Sequence, residues 1–144
     1  MLHTVRHILE VKGKDVWEIS PDATVFEALR LMADKDVGAL LVVRGEKLEG
    51  IISERDYARK VILLGKTSQE TRVSEIMETA LAPVHPDQTI EECMELMTRC
   101  RTRHLPVLDE SQVLGVVSIG DVVKDIIYKQ RETIKQLEEQ KPVS

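Results

Sequence analysis

The sequence predicts an α/β (α+β) protein that consists of two β-α-β-β-α repeats packed face to face around a shared core. The chain has 144 residues, which is enough for one compact domain or for two small modules. A shift of 65 residues aligns residues 21–56 with residues 86–121 and gives 11 identities without a gap. The same order of helix-start signals and apolar runs recurs in both copies. We therefore expect the N-terminal segment and repeat 1 over 1–66, repeat 2 over 67–130, and a helical extension over 131–144.

Each repeat is expected to begin with a short strand, near residues 16–19 in the first copy and 81–84 in the second. A capping box follows in both, because Thr24 and Thr89 each precede a glutamate by three residues. Apolar residues then recur at i, i+3, i+4 and i+7, which predicts a helix with one buried stripe. The two stripes consist of Val25, Ala28, Leu29 and Met32, and of Ile90, Cys93, Met94 and Met97.

Two apolar runs follow each of these helices and predict an antiparallel hairpin, since only a short polar turn separates them. The runs are Ala39–Val43 with Gly50–Ser53, and Leu105–Leu108 with Gly115–Ser118. A second helix then begins, over 54–64 in the first copy and from 119 to about 140 in the second. Helical spacing also marks residues 1–13.

Composition and charge exclude several classes of protein. The formal net charge is −5, whereas a general nucleic-acid binder is usually basic. No apolar run approaches the roughly 20 residues of a membrane span, and the first residues lack the apolar stretch of a secretory signal. The two cysteines, Cys93 and Cys100, form no disulfide framework and are expected in or beside a helix core. These features predict a cytoplasmic protein that binds neither nucleic acid nor membrane.

Catalytic signatures are not apparent in the sequence. It contains no nucleophile elbow, no phosphate-binding glycine loop and no zinc-protease motif. His3 and His7 are four residues apart, and we interpret this spacing as incidental to a fraying terminus. We therefore expect no enzyme, no catalytic cofactor and no metal site.

One polar motif occurs in both repeats: Gly50-Ile-Ile-Ser53-Glu-Arg-Asp56 returns as Gly115-Val-Val-Ser118-Ile-Gly-Asp121. In each copy a hydroxyl ends a strand, and an aspartate follows in the first turn of a helix. The structural interpretation is that the serine caps the helix and the aspartate completes the cap. The functional interpretation is a nucleoside phosphate, with the phosphate at the helix start and the ribose diol on the carboxylate. The motif by itself leaves both interpretations open.

The chain resembles a tandem pair of cystathionine-β-synthase (CBS) domains, also called a Bateman module, over roughly residues 12–130. The matching segments are SPDATVFEALRLM, DVGALLVV and GIISERDY, and then HPDQTIEECMELM, RHLPVLD and GVVSIGDV. The resemblance implies repeats related by pseudo-twofold symmetry, with two clefts between them for adenosine-containing ligands. It favours AMP, with ADP, ATP, NAD and S-adenosylmethionine as alternatives.

The resemblance also implies which residues line each cleft. The aspartates would accept hydrogen bonds from the ribose, the serines would contact ribose or phosphate, and apolar residues would line the base. Arginines occur in the first cleft alone, so it is the better candidate for phosphate. The first cleft would contain Ser53, Arg55, Asp56, Arg59, Ile52, Leu81, Ala82, Thr102, Arg103 and His104. The second would contain Ser118, Asp121, Val117, Val16, Trp17, Val37, Gly38 and Ala39.

These observations predict a non-enzymatic regulatory module that senses an adenine nucleotide and transmits its occupancy to a protein partner. The alternative is a structural interaction protein, a dimer with empty or degenerate clefts that signals to a partner without nucleotide. Both hypotheses include a homodimer, because the long C-terminal helix carries apolar residues that need cover.

Overall fold

A computed structural model describes residues 3–13 and 15–140 of the chain. The backbone forms two compact units. The first-repeat unit is Asp15–Pro83, and the second-repeat unit joins Met1–Lys14 to Val84–Ser144. The N-terminal segment therefore belongs with the second repeat rather than with the first, and residues 67–83 belong with the first. This division differs from the expected boundary after residue 66, and backbone hydrogen bonds described below account for the difference.

The first-repeat unit contains a three-stranded sheet with the order β1-β2-β3. Its strands are β1 (Glu18–Ile19), β2 (Ala39–Arg44) and β3 (Lys47–Ser53). β1 runs parallel to β2, and β2 and β3 form the predicted antiparallel hairpin. The first strand is confirmed but is shorter than expected.

Helix α2 (Val25–Lys35) packs its predicted stripe into the core of this unit. Its capping box is confirmed, since the Glu27 amide donates to Thr24 Oγ1 and the Thr24 amide donates to the Glu27 carboxylate, both at 3.1 Å. Leu29 of the stripe is only half-buried. The buried core consists of Val25, Ala28, Met32, Leu40, Val42, Ile52, Val61, Val73 and Ile76.

The chain after β3 differs from the single helix expected over 54–64. It forms a short α-helix, α3 (Glu54–Tyr57), and continues as a π-helix over Ala58–Ile62. The Leu63 amide donates to the Ala58 carbonyl at 3.2 Å, which is the i→i+5 bond of a π-turn. Within the π-helix only Val61 is buried. Packing against the core therefore does little to impose regular α-helical geometry on this segment.

A short helix that the sequence pattern did not reveal closes the first-repeat unit. α4 (Val73–Ile76) lies against the segment that precedes α2. The amide of Val73 donates to the carbonyl of Ala23 at 2.9 Å, and the amide of Ser74 donates to that of Pro21 at 3.0 Å. These bonds place residues 71–78 in the first unit.

Helix α1 (Val5–Lys12) has the same position in the second-repeat unit. The amide of Val5 donates to the carbonyl of Gln88 at 2.9 Å, and the amide of Arg6 donates to that of Pro86 at 2.8 Å. The predicted N-terminal helix is confirmed, and its backbone contacts explain why it belongs to the second repeat.

The remainder of the second-repeat unit repeats the pattern of the first. It contains α5 (Ile90–Cys100), the hairpin β4 (His104–Asp109) with β5 (Gln112–Ser118), and α6 (Ile119–Glu139). The strand expected near 81–84 is reduced to one parallel bridge between Val84 and Val107. Prolines at 83 and 86 flank this bridge and have no amide hydrogen to extend it. The core includes Val5, Ile8, Ile90, Cys93, Met97, Leu105, Val107, Val117 and Val122.

Equivalent glycines mark close packing in the two units. A Cβ atom on Gly50 would lie 2.8 Å from the carbonyl oxygen of Glu78 and 2.9 Å from Met77 Sδ. A Cβ atom on Gly115 would lie 2.9 Å from Leu9 Cδ2. Leu9 of α1 thus covers β5 much as Met77 and Glu78, directly after α4, cover β3.

Helix α6 confirms the long helix predicted for the second repeat. Val122 and Asp125 are its buried residues, and both lie in its first half. Further along, Ile134 and Leu137 are 56% and 60% exposed. In the part of the chain that the structure describes, no helix has both the length and the apolar character to cross a membrane.

Candidate functional site

The repeated motif forms a helix cap in the first-repeat unit. The Asp56 amide donates to Ser53 Oγ at 3.2 Å, and Asp56 Oδ2 accepts from the Ser53 amide at 2.9 Å and from its hydroxyl at 3.1 Å. This arrangement is a capping box, so the structural interpretation of the motif is confirmed. The ligand role of the same two residues stays a prediction.

The second oxygen of Asp56 has a cationic neighbour. Lys60 Nζ lies 3.3 Å from Asp56 Oδ1 and donates to the carbonyl of Ile76 at 3.0 Å. Asp56 is largely buried, whereas the Lys60 side chain is 40% exposed. The carboxylate is therefore held in place by its cap on one oxygen, and the partly exposed ammonium of Lys60 balances the charge at the other.

Two arginines follow the same cap. Arg55 is half-buried and Arg59 is exposed. Among residues 3–13 and 15–140, neither guanidinium has a hydrogen-bond or ion-pair partner. These two cations are available to an anionic ligand.

The start of β2 lies against this motif within the first-repeat unit. The Glu54 amide donates to the Gly38 carbonyl at 3.1 Å, and Ala39 is the register partner of Ser53. Val37 packs partly on the core, and Ile52 is fully buried in it. The side chain of Ile52 therefore faces the core in this structure.

The remaining candidates of this unit lie outside the cap. Trp17 packs partly on the core, with Lys35 Nζ 4.4 Å above its ring. Val16, Leu81 and Ala82 are half-buried. Trp17 thus packs within its own unit, and its predicted role in a cleft stays a prediction.

The equivalent cap in the second-repeat unit has a direct ion pair. The Ser118 amide donates to Asp121 Oδ2 at 2.8 Å, and Lys12 Nζ lies 2.8 Å from the same oxygen. Burial raises the pKa of Asp121, but hydrogen bonds from Lys12 and Ser118 and the charge of Lys12 outweigh burial. The pKa of Asp121 is consequently below its ordinary value.

Three predicted residues of the first cleft lie beside this second cap. The Ile119 amide donates to the Arg103 carbonyl at 2.9 Å, and His104 is the register partner of Ser118. Thr102 Oγ1 donates to the His104 carbonyl at 3.1 Å. Val117 is fully buried, and the exposed Arg103 side chain has no partner in the described chain. Within each unit, the hairpin entry thus lies next to the cap of its own repeat, and the groupings that combine both units stay predictions.

A cavity of about 460 Å³ lies between α1 and α6 of the second-repeat unit. Sequence reasoning missed it, because it depends on the position of α1. Asp121 links it to the second cap. Its lining is formed by His7, Ile8, Val11, Lys12, Asp121, Lys124, Asp125 and Tyr128.

A polar cluster lies at the edge of this cavity. His3 Nδ1 is 3.0 Å from Asp125 Oδ2, and His7 Nε2 is 3.6 Å from Asp125 Oδ1. The interpretation of the two histidines as incidental is wrong, because both face a buried carboxylate. The i, i+4 spacing of the histidines was the available signal, but the aspartate is 122 residues from His3 in sequence.

Comparison with known proteins gives a consistent family assignment. The CBS domain matches residues 5–62 and 73–128. The mitochondrial CBS domain-containing protein CBSX3 of Arabidopsis thaliana is 41% identical, over 93% of this chain and 69% of its own length. A solved CBS-domain protein of Burkholderia ambifaria is 44% identical, with a TM-score of 0.85 over 99% of this chain and 100% of its own.

A more distant structure carries ligands. The CBS domain pair of protein MJ0100, solved with 5-methylthioadenosine and S-adenosyl-L-methionine, is 23% identical, with a TM-score of 0.78 over 90% of this chain and 99% of its own. At this identity the likeness concerns the fold. Two matched segments, the repeated motif and the agreement of the solved folds lead to one conclusion: this chain belongs to the CBS-domain family, as a pair of CBS repeats.

Proposed function

We propose that this protein is a non-enzymatic regulatory module that binds an adenosine-containing nucleotide, AMP in preference to ADP, ATP or NAD. The observation that carries the proposal is the group formed by Arg55, Asp56 and Arg59. It combines a fixed carboxylate with two guanidinium groups that have no partner within the described part of the chain. Such a group has complementary contacts for a phosphate and for a ribose.

The arginines supply the phosphate contacts in this proposal. Arg55 lies in α3 and Arg59 in the π-helix that continues it, so the two residues are about one turn apart. A guanidinium binds two phosphate oxygens at once, and this geometry favours arginine over lysine. Arg55 and Arg59 together therefore favour a ligand with a terminal phosphate over an uncharged nucleoside.

Asp56 supplies the ribose contact. Its cap fixes the carboxylate, and Oδ1 has Lys60 as its neighbour at 3.3 Å. A ribose diol donates to such a carboxylate, as acidic residues do in dinucleotide-binding proteins. Lys60 is exposed enough to turn toward solvent or toward the phosphate when the ribose binds.

The second cap is the weaker candidate for a nucleotide. Lys12 neutralises Asp121 at 2.8 Å, and Ile119 and Gly120 occupy the positions of Glu54 and Arg55 in the alignment of the repeats. This cap therefore offers less positive charge for a phosphate. The CBS pair of protein MJ0100 accommodates adenosine compounds. This supports an adenosine ligand for the present chain, although it does not select among the adenosine compounds.

A structural dimer is the second candidate function. The observation that favours it is the exposed apolar surface of α6, on which four aliphatic residues and a tyrosine are between 43% and 60% exposed. A second copy of the chain would cover this surface. The residues are Val123, Ile127, Tyr128, Ile134 and Leu137.

Three further expectations stay predictions: the regulated partner, the absence of catalysis and a cytoplasmic location. The name of the Arabidopsis relative places that protein in mitochondria.

Calorimetric titration with AMP and with adenosine tests the nucleotide proposal. Replacing either arginine, Arg55→Ala or Arg59→Ala, removes charge-assisted hydrogen bonds of about 1.5–3 kcal/mol, so affinity for AMP falls roughly 10- to 150-fold. Affinity for adenosine changes little. Arg30→Ala is the matched control, since Arg30 is an exposed arginine of α2 in the same unit.

The outcomes separate the two candidate functions. Asp56→Asn weakens AMP and adenosine alike, because it removes the ribose contact and leaves the phosphate contact. Equal losses for both ligands in the two arginine variants reject the phosphate role. Failure of AMP, ADP, ATP, NAD and S-adenosylmethionine to bind the unaltered chain rejects the nucleotide module and leaves the structural dimer.

A further inference from the structure

His3, His7 and Asp125 form a compact group in the second-repeat unit, here called the histidine–aspartate cluster. His3 Nδ1 lies 3.1 Å from Asp125 Oδ1 and 3.0 Å from Oδ2. His7 Nε2 lies 3.6 Å from Oδ1. One ligand atom from each of the three residues lies within 4.8 Å of the other two. The three side chains therefore surround one point in space.

The position of α1 creates this convergence. His3 precedes α1 and His7 lies in its first turn, with ring centroids 4.7 Å from each other and ring planes inclined by 40°. Helix α6 contributes Asp125, whose side chain is only 6% exposed. Among the described residues, its recorded polar contacts are with the two imidazoles alone. A carboxylate this deeply buried needs a cation or strong donors to offset its lost hydration.

We propose that the histidine–aspartate cluster binds a divalent transition-metal ion, with Zn²⁺ as the best match. Ligand atoms about 2.0–2.1 Å from a tetrahedral ion lie roughly 3.3 Å from one another. The distances from Asp125 Oδ1 to His3 Nδ1, 3.1 Å, and to His7 Nε2, 3.6 Å, lie on either side of that value. The ligand atoms of all three residues lie within 4.8 Å of one another, so modest side-chain adjustments would bring them to the spacing that such an ion requires.

The donor set agrees with this choice. Imidazole nitrogens suit zinc and its neighbours, whereas Mg²⁺ and Ca²⁺ prefer oxygen ligands throughout. Three protein ligands leave a fourth position of a tetrahedral ion open. His7 and Asp125 also line the cavity of about 460 Å³, so the fourth position has room for water or an anion.

The charges around the cluster restrict what occupies the fourth position. Two neutral imidazoles and one carboxylate leave a Zn²⁺ site with a net charge of +1. Lys12 and Lys124 line the same cavity, and Asp121 offsets one of them. This surplus of positive charge favours hydroxide or a small anion over neutral water.

Titration of the tag-free chain with zinc chloride tests the proposal. Calorimetry in a buffer that does not bind metals should show one ion per chain. Loss of an outer-sphere partner already lowers metal affinity roughly 10- to 100-fold, so removal of a direct ligand should lower it by more than about 100-fold. The informative variants are His7→Gln and Asp125→Asn, which keep the size and hydrogen-bonding capacity of each side chain.

His85→Gln is the matched control. His85 also lies between carboxylates, with Asp87 3.6 Å from Nδ1 and Asp109 3.4 Å from Nε2. Because these carboxylates face different ring nitrogens, one ion cannot use both together with His85. The control variant should bind Zn²⁺ as the unaltered chain does.

Spectroscopy on the unaltered chain keeps the test decisive if a variant fails to fold. Bound Co²⁺ should show the visible bands of a tetrahedral ion, and X-ray absorption at the zinc edge should find two histidine nitrogens. The proposal is overturned if the unaltered chain does not bind one Zn²⁺ ion per chain. It is also overturned by Zn²⁺ binding that survives both His7→Gln and Asp125→Asn, even if it depends on His3.

Discussion

Lys12 Nζ lies 2.8 Å from Asp121 Oδ2 and 2.8 Å from the carbonyl oxygen of Val116. One ammonium group thus joins the end of α1 to the last strand of the second repeat and to the start of α6. The same contact helps to hold the pKa of Asp121 below its ordinary value, against the opposing effect of burial.

The pair predicts a specific dependence of stability on pH. Because the pKa of Asp121 is lower in the folded than in the unfolded chain, the pair stabilises the fold above the unfolded-state pKa. That contribution disappears as the pH falls through the folded-state pKa. Lys12→Met should lower the free energy of unfolding near neutral pH by at most about 1 kcal/mol, since Lys12 is partly exposed. The loss should shrink in acid.

Urea denaturation at neutral and acidic pH measures this difference. Lys66→Met is the control, because Lys66 is exposed and has no side-chain partner among the described residues. A loss that is the same at both pH values would contradict the proposed charge pair.

The equivalent glycines should respond unequally to the same substitution. Gly50→Ala places a methyl group 2.8 Å from the backbone oxygen of Glu78, which cannot move without shifting the chain. The expected cost is about 1–3 kcal/mol. Gly115→Ala meets only the end of the Leu9 side chain at 2.9 Å, so the change should stay within about 1 kcal/mol. Denaturant unfolding of the two variants should give this order, and equal losses would be inconsistent with it.

The exposed end of α6 should control assembly. We expect a homodimer at micromolar concentration, and Ile134→Ser combined with Leu137→Ser should weaken it because both side chains are more than half exposed. Light scattering measures the mass, with Lys135→Ser as the control on the same helix. A monomer mass of 16.3 kDa for the unaltered chain would exclude the dimer.

The two cysteines should differ in their reaction with a thiol reagent. Burial, with a smaller effect of Glu92, raises the pKa of Cys93 to about 11, so this thiol stays protonated near neutral pH. Cys100 is exposed. A colorimetric disulfide reagent should therefore modify one thiol per chain rapidly. Cys100→Ser should abolish this phase and Cys93→Ser should not, and the reverse result would contradict the burial described.

Sequence reasoning predicted the features that depend on neighbouring residues. The helix starts at Thr24 and Thr89 and the two hairpins follow from spacings of a few residues, and they are confirmed. The predicted capping box is complete at Thr24 but not at Thr89, where the Glu92 carboxylate accepts from the threonine hydroxyl rather than from its amide. The π-helix over Ala58–Ile62 was missed because its apolar spacing resembles that of an α-helix. α4 (Val73–Ile76) was missed because four residues are too few to show a period.

The candidate site was less predictable, because its charges come from distant parts of the chain. The capping boxes at Ser53 and Ser118 follow from the motif itself. The cation beside Asp121 and the histidines beside Asp125 depend on where α1 lies, which no local spacing encodes. The equivalence of α1 and α4 was hidden for a related reason: residues 5–12 precede the repeat that they complete.

The placement of α1 also affects the order in which the chain folds during synthesis. Helix α1 leaves the ribosome before the first-repeat unit, yet the carbonyl groups of Pro86 and Gln88 that receive its amides are made after that whole unit. That unit contains its own α4 and can close its core while translation continues. Until the rest of the second-repeat unit emerges, Val5 and Ile8 lack the core that buries them in the folded chain, so this segment stays open to chaperones and proteases in the meantime.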